Sequence, residues 1–82
     1  MAFHGRYGHL SAVEAAIESL KEIERYENIS QLEQKANGDC RDKGWYEANR
    51  TLCIIEGLQM IILKNGKSLS FSKLPLYYKP KK

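Results

Sequence analysis

Leu52-Cys53-Ile54-Ile55-Glu56-Gly57-Leu58-Gln59-Met60-Ile61-Ile62-Leu63 is the most apolar stretch of the chain, and its reading decides the fold. At about 12 residues, with Glu56 and Gln59 inside it, the stretch falls short of the roughly 20 apolar residues that a bilayer span needs. Extended upstream to Arg41 and downstream to Lys64, the pattern is helical, with Trp45, Ala48, Leu52, Ile55, Gln59 and Ile62 on one stripe. A continuous helix here is about 36 Å long. Cys53, Ile54, Leu58, Met60, Ile61 and Leu63 fall off that stripe, so the second half is hydrophobic nearly all round. Two helices cannot bury such a cylinder. Either the C-terminal tail folds back over it or another subunit covers it.

Just downstream, Leu63-Lys64-Asn65-Gly66-Lys67 admits two structures. Asn-Gly is a hairpin turn signal, and Met60–Leu63 paired with Ser68–Ser72 would make an α+β protein with a β-hairpin over 60–72. Glycine after a lysine is equally the mark of a helix end. The lack of alternation before Asn65 favours the helix end. Beyond it, Lys73-Leu74-Pro75-Leu76-Tyr77-Tyr78-Lys79-Pro80 reads as an extended arm whose leucines and tyrosines can pack on a neighbour.

Upstream, Ser11-Ala12-Val13-Glu14 is a capping box that starts a first helix. Val13, Ala16, Ile17, Leu20 and Ile23 then recur at helical steps, and Glu14, Glu18, Lys21, Glu22 and Arg25 take the other faces. Glu18 with Lys21 or Glu22, and Lys21 with Arg25, read as a solvated face. A second cap, Ser30-Gln31-Leu32-Glu33, places a break or a kink near Asn28–Ser30. Asn37-Gly38-Asp39 is a turn in which Asp39 can cap the next helix. The expectation is one all-α domain, an antiparallel helical hairpin: N-terminal arm 1–10, first helical segment 11–36, second helix 40–65 and basic tail 66–82.

Eighty-two residues, 43% of them hydrophobic, leave no room for a second domain. Chains below about 80 residues often need disulfides, a metal or partner subunits for stability. Cys40 and Cys53 are too few for a disulfide scaffold, and no Cys/His cluster suggests zinc. Oligomerisation is the support that remains, through Trp45, Leu52, Ile55, Leu58 and Ile62. The start of the sequence lacks an uninterrupted apolar core of a secretory signal, so a cytoplasmic, reducing setting is expected, with no membrane partner. Charge is uneven: Gly57 to Lys82 holds six bases and no acid, and Ser11 to Glu56 holds all ten acids against six bases. A cationic C-terminal third favours anionic partners such as nucleotides, nucleic acid or acidic protein surfaces, or serves only for solubility.

The chain offers little for catalysis. His4 and His9 lie five apart, not at the four-residue spacing that puts two imidazoles on one helix face. Cys53 sits among apolar residues, which predicts a buried thiol rather than a nucleophile. The glycines are scattered and form no phosphate loop. No catalytic residue, metal or cofactor is expected, and the chain reads as a non-enzyme. Binding has better support. Phe3, Arg6, Tyr7 and His9 put rings and a guanidinium just before a helix N-terminus, a combination that suits a base and a phosphate. The same residues serve equally as an arm stapled to the first helix by Phe3 and Leu10. Arg50 and Thr51 offer a cation and a hydroxyl to an interface or to solvent.

Tyr7-Gly8-His9-Leu10-Ser11, with Glu14 and Leu20-Lys21, resembles the N-terminal pattern of phage anti-CBASS sponge proteins. Trp45, Arg50-Thr51 and Glu56-Gly57-Leu58 are similar to the second-helix signature of that family, whose helical hairpin is shared with one class of anti-Thoeris sponge. The likeness spans roughly residues 5–62. It implies a homo-oligomeric helical hairpin that sequesters cyclic nucleotide immune signals without degrading them, with Tyr7 stacking on a base and Lys21 neutralising phosphate. The alternative is a small inhibitor or adaptor that binds a host protein or nucleic acid through the basic, tyrosine-containing tail.

Overall fold

The structure is a computed structural model and describes residues 10–79. It contains three helices, α1 (Ala12–Tyr26), α2 (Ile29–Ala36) and α3 (Lys43–Lys64), and no strand among the described residues. α1 begins on the capping box read from the sequence. The Ser11 hydroxyl accepts from the Glu14 amide at 3.2 Å, and a Glu14 carboxylate oxygen accepts from the Ser11 amide at 3.0 Å. These bonds satisfy helix-start amides that have no partner inside the helix.

The first helical segment breaks, as the second cap suggested, but at a neighbouring residue. Asn28, not Ser30, is the N-cap of α2: its side-chain oxygen accepts from the Gln31 amide at 3.1 Å. Asn28 and Glu27 are both extended, which turns the chain between α1 and α2. The expected Asp39 cap on the long helix is not formed. Asp39 instead folds onto Arg41, with contacts of 2.6–3.1 Å to its guanidinium, and this charge partner holds the Asp39 carboxyl below the usual carboxylate range. α3 starts two residues later than the pattern suggested, with Asp42 at its N-cap and no side-chain cap bond.

α3 is the spine of the molecule and packs along both α1 and α2. Its expected stripe is the observed inner face: Ala48, Ile55, Gln59 and Ile62 are buried, and Trp45 and Leu52 are half-buried. Ala16, Leu20, Ile55, Ile62 and Leu74 form the core, with Ile17, Ile23, Ile29, Leu52, Leu58, Ile61, Leu69 and Tyr77 around it. Each fully buried leucine or isoleucine contributes about 1.5–3 kcal/mol relative to exposure.

The ambiguous Asn-Gly step is a helix end. The Gly66 amide donates to Leu63 O at 3.1 Å and the Lys67 amide to Ile62 O at 3.2 Å, the paired bonds of a Schellman motif. Gly66 stands at φ +77°, a backbone region that costs a residue with a Cβ. No β-hairpin forms over 60–72.

After this stop the tail folds back along α3, over the seam between α3 and the α1–α2 junction. The buried amide of Gln59 holds it: Nε2 donates to Pro75 O at 2.6 Å, and Oε1 accepts from the Tyr77 and Tyr78 amides at 2.8 and 3.0 Å. The Tyr77 hydroxyl donates to Glu33 at 2.8 Å. Of the two covers that the apolar second helix could have had, the chain supplies the first from its own tail. Ile55 and Ile62, expected at an oligomer interface, are 0% exposed within the single chain and belong to its core. Trp45, Leu52 and Leu58 keep part of their surface.

Candidate functional site

Folding back of the tail creates a groove of about 400 Å³ lined by Lys21, Glu24, Arg25, Ile29, Phe71, Lys73 and Leu74. Lys21, Glu24 and Arg25 stand three and four residues apart, so they share one face of the last turns of α1. Ile29 is the first residue of α2, and the other three come from the tail. Leu74 and Ile29 supply apolar floor, and Phe71 is 41% exposed, with ring surface still open.

The charged groups differ in how far they are committed. Glu24 is engaged at both oxygens: Oε1 accepts from the Ser72 hydroxyl at 2.9 Å and Oε2 from the Lys73 amide at 2.7 Å. Lys21 lies 3.7 Å from Glu18 with about half of each side chain exposed, a surface ion pair of little worth. The Arg25 guanidinium sits 5.8 Å from the Tyr26 ring centre. Three cations thus line a groove whose one lining carboxylate, Glu24, accepts two hydrogen bonds from the chain's own tail. An anion with a flat apolar part meets complementary charge and a ring face there.

Lys73 joins Lys21 and Arg25 only through tail docking. The sequence reading set Lys21 and Arg25 on a solvated face, and both are indeed exposed, but they also form one wall of the groove. Arg6 and Tyr7 lie outside the described residues, as do His4 and His9. Arg50 is exposed on α3 and Thr51 half-buried, and neither lines this groove, so the structure does not bring them to Lys21 there. Phe71 and Lys73 had no sequence signal beyond the general basicity of the tail, because their partners are some fifty residues away.

A second hollow of about 120 Å³ is lined by Asn49, Leu52, Cys53, Glu56 and Tyr77. Burial and the adjacent Glu33 push Tyr77 up to about 12, so its phenol stays a proton donor. The expected buried Cys53 thiol is corrected: Cys53 is exposed, because it falls on the outer side of α3, and Cys40 is exposed as well. Among the described residues, no three of His, Cys, Asp and Glu lie close enough to hold a metal. No helix there is long and apolar enough to cross a membrane. Comparison of the chain with known protein families, with curated proteins and with solved structures finds no match in any of the three.

Proposed function

We propose that the chain is a non-enzymatic binding protein whose groove takes a phosphate-bearing ligand with a planar base, a cyclic nucleotide immune signal, and withholds it from its receptor. The observation that carries this reading is the convergence of Lys21, Arg25 and Lys73 with the exposed Phe71 ring around one groove. α2 adds to it, since Ile29 opens that helix at the groove and its first turn holds no acid to offset the partial positive charge there. The ligand class comes from the resemblance to the sponge families. The action belongs in the cytoplasm of an infected host cell, where such signals are made.

Isothermal titration with a panel of cyclic di- and trinucleotides tests the reading. Binding weakens with added salt, and Lys21→Ala or Lys73→Ala lowers affinity by about tenfold, the worth of one charge-assisted hydrogen bond. Absence of heat with every member of the panel, or undiminished binding by both variants, removes the proposal. Docking of a host protein or nucleic acid through the tail has less support, because Leu74 and Tyr77 are already packed on the core. Assembly into a homo-oligomer stays within the proposal, resting on Trp45, Leu52 and Leu58 and on the exposed Ile54 and Met60 of α3. Molar mass in dilute solution decides it.

A further inference from the structure

We infer that Glu24 is the positioning residue of the groove: its carboxylate fixes the tail in the place where Phe71 and Lys73 complete the anion site, and it does so at a cost in anion affinity. The inference rests on the anion-site reading of the groove but not on the nucleotide identity of the ligand.

Three of the groove's seven lining residues, Phe71, Lys73 and Leu74, belong to the tail. Leu74 is buried, Gln59 grips the chain from Pro75 onward, and Leu69 packs against the core with its carbonyl oxygen accepting from the Ser72 amide at 2.9 Å. Between these anchors, and among the described residues, the hydrogen bonds that 71–73 make to the helices go to Glu24, from the Ser72 hydroxyl and the Lys73 amide. Ser72 is fixed further by accepting from the Leu74 amide at 3.1 Å, so one carboxylate ties both the hydroxyl and the next amide of this turn to α1. A hydroxyl and a peptide amide are neutral donors. They satisfy the carboxylate's hydrogen bonds without cancelling its charge, and that charge opposes any anion brought between Lys21, Arg25 and Lys73.

Glu24 therefore acts in two opposite directions, and two substitutions separate them. Glu24→Gln keeps a carbonyl oxygen for the Lys73 amide. Its new amino group donates to Ser72, whose oxygen accepts two bonds. The tail stays docked and the negative charge is gone. Glu24→Ala removes the charge and the anchor together. If the residue were only a repelling charge, both variants would bind anions more tightly. If it were only a structural brace, both would bind no better than the native chain.

The experiment is a nuclear magnetic resonance titration of the full chain with inorganic pyrophosphate at low salt. It follows the amides of Lys21, Arg25 and Lys73 and records hydrogen exchange at Lys73. Glu24→Gln is expected to bind about threefold more tightly, the effect of one unit charge a few ångströms away in a solvated groove. Its Lys73 amide should stay protected. Glu24→Ala is expected to lose that protection and bind about threefold more weakly than the native chain, with its helix content unchanged. Equal tightening by both variants, or a protected Lys73 amide in Glu24→Ala, overturns the positioning role. Absence of any pyrophosphate response at the native Lys21 and Lys73 overturns the anion site and this inference with it. Pyrophosphate binding in the expected order, with no gain in affinity for cyclic nucleotides, upholds the inference and removes the nucleotide reading alone.

Discussion

Replacing Gln59 by leucine asks whether the tail is part of the fold or merely lies on it. Gln59 is 1% exposed, and its amide makes three hydrogen bonds to the tail backbone at 2.6–3.0 Å. Each is worth about 0.5–1.5 kcal/mol net, so their joint loss costs about 1.5–4.5 kcal/mol. Two effects reduce this: leucine gains apolar burial, and the half-exposed tail lets water reach some of the freed groups. A net loss of about 2 kcal/mol remains, which for a domain of this size lowers Tm by about 8–16 °C. Urea and thermal unfolding, followed by circular dichroism, measure the global effect. Hydrogen exchange at the Tyr77 and Tyr78 amides reports the local one, since both lose their acceptor.

Gln59→Glu sharpens the same test. The protonated form of the introduced carboxyl can donate to Pro75 O and accept from the two amides, whereas the ionised form faces Pro75 O with no donor. Burial and that donated bond raise its folded pKa above the unfolded value. The variant is then most stable in acid, below the ordinary carboxylate range, and loses stability as pH rises through the raised value. A Gln59→Leu protein with native unfolding midpoint and native protection at Tyr77 and Tyr78 would refute the reasoning.

Tyr77→Phe deletes the bond to Glu33 and should cost about 1 kcal/mol. Because the folded pKa of Tyr77 is raised from 10.0 to about 12, its contribution is complete below pH 10 and lost as pH climbs to 12. The stability difference between native and Phe variants should therefore shrink across that window in urea titrations, and a constant difference counts against the contact. Gly57→Ala should stabilise by about 0.5–1 kcal/mol, since a Cβ there meets nothing within 4 Å and alanine is the better helix former; a destabilised variant would show that this face of α3 is occupied in solution. Ser11→Ala removes half of the capping box and should cost about 1 kcal/mol in thermal unfolding, with no change meaning that α1 does not depend on its cap.

Local signals were legible where one short segment contains both donor and acceptor. The Ser11–Glu14 box is complete within four residues, and α3 ends at Gly66 with the Gly66 amide bonded to Leu63 and the Lys67 amide to Ile62 just before it. Neighbouring rivals were harder to rank. Asn28 and Ser30 both present a capping oxygen, and Asn28 forms the bond, with Ser30 falling inside α2. Asp39 had a cation two residues away, and its carboxylate bonds to Arg41 instead of capping α3. Of the groove's residues, only Lys21 is a binding candidate in the sequence, through the family resemblance. Arg25 is visible as a helix-face cation, but its place beside Lys73 in one groove depends on residues far apart in the chain.

The sequence by itself determined the helices and the inner face of α3, because the spacing of Ala48, Leu52, Ile55, Gln59 and Ile62 follows from 3.6 residues per turn whatever the helix packs against. It also determined that this helix needed a cover. Which cover was decided only in three dimensions: the Gln59 amide holds the tail on α3, and Ile55 and Ile62 are buried inside the single chain with Ala16 and Leu20 of α1 and Leu74 of the tail. The groove follows from that choice. Periodicity says which residues face the same way along one helix, but not which distant segment will meet them. The meeting of Lys21 and Arg25 with Phe71 and Lys73 depends on hydrogen bonds between residues that no local pattern relates.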